Sequence, residues 1–254
     1  MRITIKVGSN VLTRKDGSLD ITRMSSLVDQ IAELRAQGHE IVLVSSGAVA
    51  SGRSELKHIH DDLDSVDQRQ LFSAVGQAKL MNHYYDLFRE YGIAVGQVLT
   101  MKEHFNDSEH RKNQENCLRV MLGNKVLPII NENDTVSITE LMFTDNDELS
   151  GLIAEMTQSK ALIILSNIDG IYTGNPSDPE SRLISIVKPG KDLSDYIQST
   201  KSSAGRGGMQ SKSSVAAKTA ANGISVIIAN GKRDNILVNI MNDRDNTPCT
   251  EFLI

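Results

Sequence analysis

Short apolar runs rich in β-branched residues alternate along this chain with longer segments of helical periodicity. The runs are bounded by turn residues and predict strands over residues 2–7, 40–45, 93–99, 125–131, 160–166 and 224–229. Apolar residues spaced three or four apart predict helices over residues 20–37, 67–91, 108–122, 145–158 and 209–222. Strands that alternate with helices pair in parallel and are covered on both faces. The pattern therefore predicts a three-layer α/β/α sandwich around a mostly parallel central sheet.

One stretch breaks this alternation. Residues 167–208 are rich in Gly, Pro, Ser and Asp and contain one clear strand candidate, at 182–187. This composition predicts a hairpin and a long loop over the site. At 254 residues one large domain is as likely as two smaller ones, and the chain has no internal repeat, low-complexity tract or interdomain linker.

Charge and cysteine content narrow the class of protein. The formal net charge is −5 and the sequence pI is about 5.7, which argues against a basic face for nucleic acid. Cys117 and Cys249 are too few for a disulfide scaffold or a zinc site built from clustered thiolates. No apolar run approaches the length of a membrane span, and Met1 is followed directly by a strand pattern rather than a signal peptide. We therefore expect a cytoplasmic protein that binds neither nucleic acid nor membrane.

Five short polar or glycine-bearing segments stand at the ends of apolar runs. They are residues 6–9, 45–48, 131–134, 145–147 and 205–212. In α/β proteins ligands bind where the strands end and the loops meet. Glycines free backbone N–H groups, two lysines supply positive charge, and asparagines and aspartates supply polar contacts. Together the segments predict a site for a phosphate donor and a small polar acceptor.

Each of the two lysines also has an ordinary structural explanation. Lys6 could be an edge-strand lysine that reaches solvent, and Lys212 could be a surface lysine of a helix. However, Lys212 lies in the first turn of a helix that follows a Gly-Gly pair, where the helix dipole disfavours a cation. Free N–H groups at that helix start favour contact with nucleotide phosphates. We expect Lys6 to join this contact, with the backbone of Gly8 open to phosphate oxygens.

Residues 47–54 nearly match the phosphate-binding pattern G-x-x-x-x-G-K-[ST], but Arg53 replaces the lysine. The planar guanidinium of arginine does not substitute for a lysine ammonium in that role. The segment also follows the second predicted strand rather than the first. We interpret the match as coincidental, and we assign Ser46 and Gly47 to hydrogen bonds with a substrate.

Two segments rich in amide and carboxylate groups can have either a structural or a substrate-binding role. Residues 145–148 can simply cap the helix that they begin, and residues 131–134 can simply form a turn. Alternatively, Asn146 contacts a substrate while Asp147 orients the two lysines. Such a concentration of amides and carboxylates at strand ends favours recognition of an ammonium-bearing substrate. The six histidines have no metal-binding spacing, and no serine has a convincing His/Asp partner set.

In their order along the chain, these segments resemble the amino acid kinase family, and in particular its members that phosphorylate glutamate. The resemblance rests on Lys-x-Gly-Ser-Asn-Val-Leu from Lys6, Val-Ser-Ser-Gly-Ala-Val from Val44, Ile-Asn-Glu-Asn-Asp from Ile130, Phe-Thr-Asp-Asn-Asp from Phe143 and Gly-Gly-Met-x-x-Lys ending at Lys212. Residues 167–176 also match the loop on the nucleotide side, and the similarity covers almost the entire chain.

The resemblance implies a role for each residue of the site. Lys6 and Lys212 would stabilise the transferring phosphoryl group, and Asp147 would organise them. Ser46, Gly47, Asn131, Asp134 and Asn146 would bind the acceptor. The residues on the ATP side would be Lys6, Gly8, Ser9, Ser166, Asn167, Arg206, Gly207, Gly208, Met209, Gln210, Ser211 and Lys212, with no protein metal ligand assigned. Two positions depart from the family pattern: Arg206 stands where a small hydroxyl residue is common, and Ser166-Asn167 where Thr-Asp is common.

The same resemblance implies ATP and Mg²⁺ as cofactors and L-glutamate as the acceptor, phosphorylated on its γ-carboxylate in the first step of proline biosynthesis. It also implies feedback inhibition by proline, a homo-oligomer, and transfer of the product to glutamate-5-semialdehyde dehydrogenase. Many members carry a further C-terminal PUA-type domain. Because the chain ends at Ile254, soon after its last strand candidate, residues 1–254 are expected to form one amino acid kinase domain without it.

Two alternatives stay open at this point. The acceptor could be that of another family member, namely acetylglutamate, carbamate, aspartate or UMP. The chain could also be a non-catalytic amino-acid sensor with the same fold, although a sensor does not need both Lys6 and Lys212.

Overall fold

One sheet runs through the described part of the chain, which comprises residues 1–56, 58, 63–137, 143, 145–196 and 208–254 of this computed structural model. Its strands are β1 Arg2–Val7, β2 Glu40–Ser45, β3 Val95–Thr100, β4 Leu127–Glu132, β5 Ala161–Ser166, β6 Ile186–Val187, β7 Ser225–Asn230 and β8 Cys249–Phe252. They lie in the order β3-β4-β2-β1-β5-β7-β8-β6, and each neighbouring pair is parallel except β7 with β8.

Helices cover both faces of this sheet. They are α1 Ser9–Leu12, α2 Ile21–Ala36, α3 Ala48–Glu55, α4 Ser65–Arg89, α5 Glu103–Asn106, α6 Ser108–Gly123, α7 Asn146–Met156, α8 Met209–Ala221 and α9 Ile236–Asn242. Apolar residues of α2, α4 and α9 pack on one face, and those of α6, α7 and α8 pack on the other. The predicted three-layer α/β/α fold is confirmed. Among the described residues, no helix combines the length and apolar character needed to cross a membrane.

Side-chain caps fix where the longer helices begin. The carboxylate of Asp20 accepts a hydrogen bond from the N–H of Arg23 at 3.1 Å, so α2 starts where the sequence predicts. Helix α4 starts two residues earlier than predicted, because Asp64 accepts hydrogen bonds from the N–H groups of Val66 and Asp67. Each such cap contributes about 0.5–2 kcal/mol to stability.

Several elements differ from the sequence prediction. The strand expected at 182–187 is reduced to β6, and Leu183 forms an isolated antiparallel bridge with Tyr172 instead. The pattern also does not predict strand β8 or the helices α1, α3, α5 and α9. Helix α3 crosses α4 so closely that a Cβ atom on Gly52 would lie 1.9 Å from the carbonyl oxygen of Phe72. The segment that resembles a phosphate loop is therefore a packing helix, and its second glycine serves the helix–helix contact.

Alternation of side chains along β1 determines the direction of its lysine. Ile3, Ile5 and Val7 belong to the core on the α2 face. Since successive side chains point to opposite faces of a sheet, Thr4 and Lys6 point toward the α7 face. Strand β1 lies between β2 and β5, so the edge-strand explanation of Lys6 is wrong. Strands β1, β2, β4 and β5 are parallel, and their carboxyl ends meet at one edge of the sheet.

Candidate active site

A cleft of about 1160 Å³ opens at the carboxyl edge of the sheet, beside the first turns of α7 and α8. It is lined by most of the predicted site: Lys6, Gly8, Ser9, Ser46, Gly47, Asn131, Asp134, Asn146, Asp147, Ser166, Asn167, Gly208, Met209 and Lys212. Two predicted ATP contacts, Gln210 and Ser211, do not line the cleft. Arg206 and Gly207 lie outside the described residues.

Asp147 lies between the two lysines, and we call Lys6, Asp147 and Lys212 the lysine cluster. The Nζ atom of Lys6 is 2.6 Å from Oδ1 of Asp147, and the Nζ atom of Lys212 is 2.9 Å from Oδ2. Their exposed fractions are 4% for Lys6, 0% for Asp147 and 9% for Lys212. Two ammonium groups against one carboxylate leave a charge of +1, which favours an anion such as a phosphoryl group.

Opposing effects act on the carboxylate at the centre of the lysine cluster. Burial alone would raise the pKa of Asp147, but the charges of Lys6 and Lys212 outweigh burial and hold that pKa below its usual value. The group is therefore ionised at neutral pH. It can hold both ammonium groups in fixed positions without taking up a proton itself.

A side-chain cap at the start of helix α7 fixes the position of Asp147. The Oδ1 atom of Asp145 accepts hydrogen bonds from the N–H groups of Asp147 at 2.9 Å and Glu148 at 3.1 Å. Its Oδ2 atom accepts a bond from the hydroxyl of Ser211 at 2.6 Å. Asp145 is thus the N-cap that the sequence pattern indicates. The serine expected on the ATP side instead ties the start of α8 to the start of α7.

Hydrogen bonds join three of the predicted acceptor residues, and we call Ser46, Asn131 and Asn146 the amide cluster. The side-chain nitrogen of Asn146 donates to Ser46 Oγ and to Asn131 Oδ1, both at 2.9 Å. Asn131 in turn donates to Gln77 Oε1 of α4 at 2.9 Å. Gly47 precedes α3 with φ 109°, a left-handed conformation that favours glycine. The structure therefore brings the ends of β2 and β4 and the start of α7 together at one wall of the cleft.

A carboxylate cluster forms the neighbouring wall, and we use this name for Glu132, Asp134 and Arg69 together. An Arg69 amino group lies 3.3 Å from Glu132 Oε2 and contacts Asp134 Oδ1. Burial and the nearby Asp134 raise the pKa of Glu132 to about 7, and burial also raises the pKa of Asp134. The sequence analysis did not identify Arg69, because its partner Glu132 in β4 lies 63 residues away along the chain. Its position in a helix gives no local signal of this contact.

The backbone N–H of Gly8, which the sequence analysis expected to be open to phosphate oxygens, is already hydrogen-bonded. This N–H donates to the carbonyl oxygen of Leu165 at 3.3 Å, so this group is already used by the sheet. A Cβ atom at Gly8 would lie 3.3 Å from Lys6 Nζ, and the glycine thus leaves room for the ammonium group. Ser166 and Asn167 follow β5 and are linked by a hydrogen bond of 3.4 Å. Basic residues that the sequence analysis did not assign also line the cleft: Arg14, Lys15, Arg53, Arg69 and Lys232.

Comparison with known proteins agrees with this fold. The model of the amino acid kinase family matches residues 1–230, and the chain belongs to that family. Within it, the chain is 69% identical over 252 residues to the glutamate 5-kinase of Bacteroides thetaiotaomicron and 47% identical over 244 residues to that of Chlorobaculum tepidum. These alignments cover 99% and 94% of the chain.

The relatives differ in how much of their own length is matched. The chain spans 70% of the Bacteroides protein and 66% of the Chlorobaculum protein. It spans 91% of the glutamate 5-kinase of Clostridium acetobutylicum, with 36% identity over 95% of the chain.

Two solved structures share the fold at low sequence identity. An isopentenyl phosphate kinase superposes with a TM-score of 0.69 at 18% identity, over 99% of this chain and 100% of that one. A carbamate kinase from Giardia lamblia, bound to AMP-PNP, has a TM-score of 0.69 at 14% identity, over 99% and 98% of the two chains. At these identities the likeness supports the fold alone.

Proposed function

We propose that this chain transfers the γ-phosphoryl group of ATP to the γ-carboxylate of L-glutamate, which gives L-glutamyl 5-phosphate and ADP in the first step of proline biosynthesis. The observation that carries the proposal is the buried lysine cluster, with its charge of +1, in the same cleft as the amide and carboxylate clusters. The glutamate 5-kinase relatives support this choice of acceptor.

The chemistry requires no general base. A γ-carboxylate has a reference pKa of about 4.3 and is already ionised at neutral pH. One of its oxygens attacks the γ-phosphorus, the bond from that phosphorus to the β,γ-bridging oxygen breaks, and ADP leaves with the electron pair. The protein must align the acceptor in line and stabilise charge on the transferring group. Lys6 and Lys212 supply that stabilisation, and Asp147 keeps their ammonium groups in position.

The donor set around the lysine cluster fits a magnesium ion carried by the nucleotide. Both oxygens of Asp147 face ammonium groups, and both oxygens of Asp145 accept hydrogen bonds. Across the described ranges, no group of three or more His, Cys, Asp or Glu side chains is arranged to hold a metal. When bound together with the nucleotide, Mg²⁺ would neutralise phosphate charge. Gly208 and Met209, at the start of α8, line the same cleft and would offer backbone N–H groups to the phosphates.

Opposite charges at two parts of the cleft orient the acceptor. The carboxylate cluster has one guanidinium for two carboxylates, which gives −1 when all three groups are ionised and suits the α-ammonium group of glutamate. Ser46, Asn131 and Asn146 provide amide and hydroxyl groups for the α-carboxylate. The γ-carboxylate then extends toward the lysine cluster and the nucleotide.

A substrate panel tests the proposal. The protein is incubated with ATP, Mg²⁺ and hydroxylamine, which converts acyl phosphates to hydroxamates. We expect hydroxamate with glutamate, and slower or no formation with acetylglutamate or aspartate. Faster turnover of another acceptor, such as carbamate or UMP measured by ADP release, would contradict the assignment. Glutamate binding without ADP release would identify a sensor.

Regulation and assembly are further parts of the proposal. Proline shares the α-carboxylate and a cationic amine with glutamate, so we propose that it binds the same amide and carboxylate clusters as a feedback inhibitor. A homo-oligomer, a cytoplasmic location and transfer of the product to glutamate-5-semialdehyde dehydrogenase stay predictions. The same holds for a single amino acid kinase domain over residues 1–254.

A further inference from the structure

We infer that Arg69 is a positioning residue that determines selectivity for an acceptor bearing an α-ammonium group, because it fixes the carboxylates of Asp134 and Glu132 at the wall of the cleft. This inference rests on the proposed function. Arg69 would act through its two partners and need not touch the acceptor.

The contacts of Arg69 join two separate elements. Its guanidinium extends from the first turns of α4 to the end of β4 and the turn that follows, where it meets Glu132 and Asp134. The adjacent Gln70 donates to the carbonyl oxygen of Thr135 at 3.0 Å and ties α4 to the same turn. The side chain of Arg69 is 21% exposed and lines the cleft, whereas those of Glu132 and Asp134 are 4% and 10% exposed.

Charge explains why the guanidinium matters. Burial raises the pKa of both Glu132 and Asp134, and the charge of Asp134 raises the pKa of Glu132 further. The charge of Arg69 counters that shift and keeps negative charge at the wall. Glu132 is also fixed from its other side, since its Oε1 atom accepts a hydrogen bond from the N–H of Phe143 at 3.0 Å.

Loss of the guanidinium should therefore act on one part of the acceptor. Without it, Glu132 and Asp134 would take up a proton between them or turn apart, and the α-ammonium group would lose its oriented partners. The lysine cluster is built from β1, α7 and α8 and would keep its geometry. The expected signature is a higher KM for glutamate with little change in kcat.

Glutarate separates this role from a purely structural one, because it has both carboxylates of glutamate and no amine. For Arg69→Met we expect the KM for glutamate to rise roughly 10–100-fold, in line with the loss of one charge-assisted contact. The KM for glutarate should stay within about threefold of the wild-type value. Arg69→Lys should recover part of the preference for glutamate. Arg89→Met, at the exposed far end of the same helix, is the matched control and should behave as wild type.

A double-mutant comparison identifies the partner. Asp134→Asn alone should raise the KM for glutamate, and adding Arg69→Met to it should raise the KM little further. Equal losses for glutamate and glutarate, a fall in kcat at unchanged KM, or additive effects with Asp134→Asn would overturn the inference. Thermal unfolding monitors folding, and Arg69→Gln replaces the methionine variant if that variant does not fold.

Failure of the proposed function gives a different result. If wild-type protein forms no hydroxamate from glutamate, the proposed acceptor is wrong. Calorimetric binding of glutamate and glutarate to the wild type and to Arg69→Met then decides the inference by itself. Preference for glutamate that depends on Arg69 supports it, and a preference that is absent or independent of Arg69 overturns it.

Discussion

Replacing Lys212 by Met tests the lysine cluster, because methionine keeps much of the side-chain volume and removes the charge. In the proposed reaction, negative charge on the transferring phosphoryl group lies near this ammonium. At a separation of ~4 Å and an effective dielectric constant of about 20, one unit charge contributes about 4 kcal/mol. Removal of a single preorganised donor in other enzymes lowers kcat by roughly 10²–10³. We therefore expect Lys212→Met to reduce kcat by that factor, with the KM for glutamate little changed.

Substitution of Lys212 and substitution of Asp147 should have different effects on the stability of the protein. In Lys212→Met, Asp147 keeps Lys6 at 2.6 Å and the remaining pair is neutral. In Asp147→Asn, two buried ammonium groups lose their shared counter-ion, which costs about 3–5 kcal/mol. At about 2–4 °C per kcal/mol for a chain of this size, Asp147→Asn should lower Tm by roughly 6–20 °C, and Lys212→Met by much less.

The assay measures ADP release and hydroxamate formation in parallel, with thermal unfolding of each variant. Lys218→Met is the matched control, since Lys218 is exposed on the same helix and should behave as wild type. A kcat for Lys212→Met within about threefold of the wild type would refute a role of this ammonium group in phosphoryl transfer. A lower Tm for Lys212→Met than for Asp147→Asn would refute the charge balance of the lysine cluster.

Two further predictions concern the acceptor side of the cleft. Because the pKa of Glu132 is raised to about 7, its protonation below that pH removes one negative charge from the carboxylate cluster. The KM for glutamate should therefore rise several-fold from about pH 8 to about pH 6, and a flat pH profile would be inconsistent with this role. Proline should inhibit competitively, since it shares the α-carboxylate and cationic amine. Steady-state rates at several glutamate concentrations check this, and an unchanged potency of proline across the series would argue for a separate regulatory site.

The central arrangement could be predicted because it follows from periodicity and topology. Alternating strands and helices imply a parallel sheet, and parallel strands end at one edge. Lys6, Ser46 and Asn131 stand at or just after such ends in the sequence, and Asn146 and Asp147 stand at the start of a predicted helix. Lys212 carries its own signal, a cation in the first turn of a helix where the dipole disfavours it. These residues therefore meet in the cleft as the pattern indicates.

Other features depend on tertiary contacts that no local pattern encodes. Helix α3 is rich in glycine and polar residues, so its sequence does not indicate a helix. Its close packing against α4 depends on Gly52, which has no Cβ atom. Arg69 is an ordinary helical arginine until α4 packs beside the end of β4. Gly8 looks like a phosphate loop residue, yet its N–H is used by Leu165 and its small size makes room for Lys6. The predicted roles of the individual site residues stay predictions until variants are measured.

Transfer of an isotopic label tests the central claim most directly. Glutamate labelled with ¹⁸O in its γ-carboxylate is incubated with the protein, ATP, Mg²⁺ and hydroxylamine. If the carboxylate attacks the γ-phosphorus, one labelled oxygen becomes the bridge of the acyl phosphate, and hydroxylamine then releases it as part of inorganic phosphate. Our account predicts phosphate that carries one ¹⁸O atom for each hydroxamate formed. Unlabelled phosphate released from ATP would show that water is the nucleophile and would contradict the account.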